Sequence, residues 1–184
     1  MHIERIHVWD CVARFKQGIY ATSRCQKSAI RGRVFQVLGT GGWKGFGEVV
    51  FPFSLPRQLE EQVIQAEKVF LSELVGKNID HLMDRAEAFR AREAHWSSVA
   101  FALETTWYDL QGKQQNQTIS SILHGKRSHR VTPYLSISVS DQQELKERLR
   151  SETEDAKVIQ LKLTNQSWAD DVAWIHQVLS LIHI

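Results

Sequence analysis

The sequence predicts two architectures in succession. The first is an α+β domain, a three-stranded antiparallel meander plus helices; the second is the first two βα units of an incomplete (β/α)8 barrel of the TIM type. Three observations carry this reading. Alternating β-type residues with a glycine-rich reversal fill the first fifty positions, apolar residues at helical spacing run to about position 123, and a strand-helix-strand-helix order fills the rest.

In residues 3–15, Ile6, Val8, Asp10 and Val12 alternate with His7, Trp9, Cys11 and Ala13, which reads as a strand partly covered on both faces. Residues 16–27 read as a loop. Residues 33–38 form a second strand, and Gly39, Thr40, Gly41 and Gly42 supply the positive-φ positions of a reversal before a third strand over residues 43–51. Pro52 and Pro56 end it, each lacking a backbone donor.

The period then becomes 3.6. Leu59, Val63, Ala66, Phe70 and Leu74 share one helix face with Glu60, Glu61, Gln65 and Lys68 opposite, and Gly76 stands at the expected C-cap. Ile79, Leu82, Met83, Ala86 and Phe89 define a second helix. A third is expected from Ser97 as N-cap through Ala100, Leu103, Trp107 and Leu110, ending at Gly112. Residues 118–123 add a short helix closed by Gly125.

After a basic loop at 126–130, residues 131–139 read as a strand. Asp141 with Glu144 opens a polar helix to about Glu154, residues 158–163 form a second strand, and Ser167 caps a helix holding Val172, Ile175 and Leu179. Two parallel strands cannot bury both faces, and a closed (β/α)8 barrel takes roughly 250 residues, so this portion is incomplete by itself. The final residues 179–184 lack a cap, Gly or Pro and resemble the translation of a sequencing-adapter end. They read as a non-native tail on a truncated frame, or else as a natural apolar helix turn.

Composition narrows the function classes. With 184 residues and 42% hydrophobic side chains the chain can bury a core, and 23 basic against 21 acidic residues, without a basic stripe, argue against a nucleic-acid partner. Apolar runs such as Val49, Val50 and Phe51 fall far short of the ~20 residues of a membrane span. There is no secretory pattern after Met1, and Cys11 and Cys25 lack CxxC spacing, which suits reduced thiols in the cytoplasm. The eight histidines show no HExxH or HxH, and the clustered glycines belong to a hairpin rather than to a phosphate-binding loop.

Several spaced segments carry a family resemblance. The run from Gly42 through Trp43, Lys44, Gly45, Phe46 and Gly47 to Glu48 looks like a G-x-x-G-x-G-E strand. Ala102, Leu103 and Glu104, then Trp107, Tyr108, Asp109, Leu110, Gln111, Gly112 and Lys113, look like an A-[IL]-[DE]…W-D-L-x-G-K helix, and Ile122, Leu123, His124 and Gly125 match an L-L-G-G turn with one substitution. In this order they resemble the enolase superfamily, in its mandelate racemase and muconate lactonizing branches, over residues 3 to about 178. The resemblance implies a capping domain over residues 1–128, the start of a barrel over 129–178, and a tail over 179–184.

It also implies chemistry: abstraction of a proton α to a carboxylate, giving an enolate held on Mg²⁺. In these branches the base belongs to a K-x-K pair on the second barrel strand. Lys162 matches that base, acting as general base and acid, while Gln160 stands at the first Lys and removes the neighbouring cation that would oppose protonation of the base. Period-2 geometry puts Gln160 and Lys162 on one side of the strand. Lys162 alone could equally be the polar side of a half-buried strand. Residues 16–25 take the place of a mobile substrate loop, with Ile19, Tyr20 and Arg24 as contacts, residues 51–55 that of a second loop, and Ser136 a donor to a substrate carboxylate.

No metal ligand is assigned, since the family's Asp and Glu ligands end later strands; Mg²⁺ is expected in the full-length parent and none on this fragment. Glu48 and Asp109 are set aside as ligands for the same reason. The implied parent is a dipeptide epimerase acting on a small carboxylate or dipeptide and forming a homo-oligomer, with o-succinylbenzoate synthase or N-acylamino acid racemase as the enzymatic alternative. A non-catalytic capping module or decayed relative is the alternative of another class. The fragment itself is expected to be inactive.

Overall fold

A computed structural model describes residues 1–16, 18–21, 26–52, 54–125, 132, 134–137, 146–147, 158–163 and 167–182. The chain divides into two compact units. One comprises Met1–Ala13 and Ile30–Arg127; the other comprises Arg14–Ala29 and Ser128–Ile184.

The first unit holds a three-stranded sheet in the order β1 (Ile3–Arg14), β4 (Ala29–Gly39), β5 (Trp43–Val50). β4 and β5 are antiparallel, with Phe35 opposite Gly47 and Val37 opposite Gly45. Gly41 and Gly42 take φ of +88° and +81° in the reversal, a region open to glycine at no steric cost. Alternation buries Phe35 and Val37 on β4 and Gly45, Gly47 and Val49 on β5, while Lys44, Phe46, Glu48 and Val50 are exposed. Residues 16–27, expected as a loop, contain a small antiparallel hairpin instead: β2 (Tyr20–Ala21) pairs with β3 (Gln26–Lys27). Tyr20 stacks on Phe15, five residues before it, with ring centroids 5.2 Å apart, a contact that single-residue propensities do not reveal.

Three helices cover the sheet's inner face: α1 (Arg57–Leu74), α2 (His81–Arg90) and α3 (Ser97–Gln115). Val63, Phe70, Leu71 and Leu74 of α1, Leu82, Ala86 and Phe89 of α2, and Val99, Leu103 and Leu110 of α3 join Phe35, Val37 and Val49 in one core. Each large aliphatic or aromatic side chain so buried stabilises the fold by about 1.5–3 kcal/mol. The N-terminal segment is tied to the α1–α2 connection, where Ile3 N–H donates to Lys77 O at 2.8 Å and Gly76 N–H to Ile3 O at 2.7 Å.

Four helix boundaries differ from the sequence reading. Ser97 is not the cap of α3, because a 3-10 turn over Ala94–Trp96 leads directly into the helix and the Ser97 hydroxyl donates back to Ala94 O. Gly112 does not end α3, which runs to Gln115 and closes at Asn116 in the left-handed region. In the short α4 (Ile119–Ile122) the left-handed residue is His124 rather than Gly125, with Thr118 as the side-chain cap. On α1, Gly76 has φ +83° but lies one residue beyond the extended C-cap Val75.

In the second unit β6 (Tyr134–Ile137) and β7 (Val158–Leu161) pair in parallel, with Ser136 opposite Gln160. β7 is shorter than the expected 158–163, leaving Lys162 and Leu163 outside it, and of the strand expected over 131–139 residues 131, 133, 138 and 139 lie outside the described residues. The helix expected from Asp141 to Glu154 lies outside the described residues except for Lys146 and Glu147, which are helical. A last helix, α5 (Trp168–Ile182), packs Trp174, Val178 and Leu181 against Leu135, Ile137, Ile159 and Leu161. Ser167 opens it, its hydroxyl accepting from Asp170 N–H at 3.4 Å. The inward face is rotated from the one expected: Val178 and Asp171 are buried, whereas Leu179 is exposed. No helix among the described residues is long and apolar enough to cross a membrane.

Candidate functional site

The residues that carry the sequence motifs act on packing. A side chain at Gly45 would place its Cβ 2.8 Å from Thr106 O, and one at Gly47 would collide with Ala102 O and the Thr106 hydroxyl. The glycines therefore let α3 lie directly on β5. β5 is a sheet edge, and α3 supplies the partners that its outward backbone groups need. Ser98 donates to Val50 O at 2.7 Å, Asp109 accepts the Phe46 N–H at 3.0 Å, and the Lys113 ammonium donates to Lys44 O at 2.7 Å. Asp109 and Lys113 also pair with each other at 2.7 Å. Asp109 is thus occupied as a structural acceptor, and Glu48 borders a shallow surface groove of about 270 Å³ with Val50, Ser97, Ser98 and Phe101.

The candidate catalytic residues lie on the parallel pair. Ile159 and Leu161 face the apolar cluster with α5, so alternation turns Val158 and Gln160 to the other face, where both are exposed. Ser136, facing Gln160 in register, donates its hydroxyl to Gln160 Oε1 at 3.3 Å. The two residues singled out separately in the sequence are therefore brought together. Lys162 follows β7, half-buried, and its N–H donates to Ile137 O at 2.8 Å, extending the hydrogen bonding one residue past the strand.

Ile19 is exposed at the entry to the β2–β3 hairpin, and Tyr20 is half-buried in β2. Arg24 lies outside the described residues. Of the second loop, Phe51 is buried in the first unit's core and Leu55 packs against it, while Phe53 lies outside the described residues. Among the described residues no three His, Cys, Asp or Glu side chains converge as metal ligands.

Sequence reasoning missed Glu67. It is completely buried in α1, with Val63 four residues before it and Leu71 four after, both inward. That spacing was the available signal. Its partner is Arg33 of β4, whose Nη1 donates to Glu67 Oε1 and whose Nε donates to Asp10 of β1 at 3.0 Å.

No family model and no curated protein matches the sequence. Solved structures do match. An N-succinyl Arg/Lys racemase from Bacillus cereus superposes with a TM-score of 0.84 at 17% identity, over 99% of this chain and 49% of that one. A dipeptide epimerase from Cytophaga hutchinsonii, complexed with Mg and the dipeptide D-Ala-L-Val, gives 0.83 at 14% identity, over 98% and 49%. A mandelate racemase/muconate lactonizing protein from Herpetosiphon aurantiacus gives 0.79 at 15% identity, over 98% and 50%. The fold is the one these solved structures share over about half of their length, and this chain spans about half the length of those it matches.

Proposed function

We propose that this chain is the capping domain and the first barrel strands of an enzyme that abstracts the proton α to a carboxylate, of the dipeptide epimerase kind. The observation that carries this reading is the register of β6 and β7. It sets Ser136 against Gln160 on the face away from α5, with Lys162 next at the carboxyl end of the strand, the end at which barrel active sites lie. In this reading Lys162 takes and returns the substrate α-proton, Ser136 and Gln160 present neutral polar groups beside it, and Ile19, Tyr20 and Arg24 contact the substrate side chain. Magnesium, which accompanies the dipeptide in the Cytophaga hutchinsonii structure, would be held in the parent by Asp and Glu residues on later barrel strands that follow this stretch.

The test is hydrogen exchange in a longer protein carrying this stretch. Incubated in D₂O with Mg²⁺ and Ala-Glu-type dipeptides, it incorporates α-deuterium, and Lys162→Ala lowers that rate by about 10²-fold or more. An unchanged rate in Lys162→Ala overturns the assignment. Gln160 favours a second reading, a decayed relative without activity. A natural stop at codon 184 favours that reading, whereas a frame that continues past codon 178 to Asp and Glu residues at successive strand ends and a further Lys favours the enzyme.

A further inference from the structure

Three charged groups from three elements meet in the first unit: Asp10 on β1, Arg33 on β4 and Glu67 on α1. They comprise one cation and two carboxylates. Their surroundings differ sharply, because the Asp10 side chain is 84% exposed and that of Glu67 is 0% exposed. Water solvates the first anion, whereas the second depends on protein groups alone. Those groups serve only half of it. Glu67 Oε1 accepts from Arg33, but Glu67 Oε2 is buried with no hydrogen-bond partner among the described residues. Its neighbours on that face of α1 are Val63, Phe70, Leu71 and Leu74.

We propose that Glu67 is an internal proton-binding site, through which the packing of α1 on the sheet is linked to pH. The shared guanidinium is already engaged by Asp10, so the buried carboxyl is the member of the trio that is cheaper to hold neutral. Burial pushes Glu67 up to about 7, against the opposing pull of Arg33; the Asp10 charge adds to the rise and Lys68, next to it on α1, opposes it. The folded-state value lies above the unfolded reference of 4.5. The folded chain therefore binds this proton more tightly than the unfolded chain. The stability it contributes is fully present below the unfolded value and is lost as pH rises through about 7.

The experiment uses the full chain with ¹³C-labelled glutamate carboxyls. One carbon should titrate near neutrality and disappear in Glu67→Gln. Asp10→Asn, which leaves Arg33 to Glu67 alone, should move that titration to lower pH. In urea unfolding, the folding equilibrium of the native chain should strengthen about tenfold between pH 8 and pH 6 relative to Glu67→Gln. If no glutamate carbon of the native chain titrates above pH 6, the proposal fails, and this measurement does not depend on the variants folding. A titration unmoved by Asp10→Asn, or the same pH response in Glu67→Gln, overturns it equally.

Discussion

The Asp109 carboxylate accepts the backbone N–H of Phe46 at 3.0 Å, joining α3 to the exposed edge of β5. A strand edge carries unpaired donors and acceptors that invite another chain to pair with it. Here Asp109, Lys113 and Ser98 satisfy three of those groups from the side, while Gly45 and Gly47 allow the helix near enough to reach them. Two motifs 60 residues apart are thus halves of one joint.

Gly47→Ala should destabilise the chain by about 1–3 kcal/mol or more, because the new methyl group meets the Ala102 carbonyl, a backbone atom that cannot turn aside. Gly42→Ala is the control. That position is strained by φ +81° but has open space, so it should cost about 1 kcal/mol. Urea unfolding midpoints compare them, and equal losses would contradict close packing of α3 on β5.

Asp109→Ala removes the acceptor of the Phe46 amide and the partner of Lys113 together. A loss of about 1–2 kcal/mol is expected, since the amide can reach water once the carboxylate is gone. Amide exchange resolves the mechanism: protection at Phe46 should fall more than at Phe35, which lies in the buried core. Unchanged protection at Phe46 would show that the bond does not hold in solution.

Amide exchange should also separate the two units. The α3 segment around Leu103 and Leu110 is buried in a core of three helices and three strands, whereas β7 pairs only with β6 among the described residues. Exchange in α3 should therefore be slower than in Val158–Leu161. The opposite order would mean that the parallel pair is protected by association with something else.

Gln160→Lys, in a longer active protein, sets a second ammonium beside Lys162. Like-charge repulsion favours loss of a proton from the pair, so the acidic limb of the pH–rate profile should move to lower pH. At an effective dielectric near 20 the repulsion between charges a few Å apart is worth up to roughly 4 kcal/mol before screening, enough to resolve. Identical limbs would exclude Lys162 as the base or residue 160 as its neighbour.

The sequence by itself determined the class and order of the main strands and helices, though not the small β2–β3 hairpin or the 3-10 turn before α3. Period-2 alternation with the glycine reversal located the meander, period-3.6 spacing located α1 to α3, and the return to strand-helix order located β6, β7 and α5. It also placed Gln160 on the polar side of its strand, because alternation is a property of the chain. Tertiary structure decided the rest. Ser97 and Gly112 were legible as helix punctuation, yet the 3-10 turn before α3 and the packing of α3 on β5 overrode both, since burial outweighs a local preference worth about 1 kcal/mol. Whether Gln160 has a neighbour depended on the β6–β7 register, and the burial of Glu67 depended on Arg33 arriving from a strand 34 residues away. Spacing along a chain reports which residues share a face, but only the packed fold brings a charge on one face against its counter-charge on another.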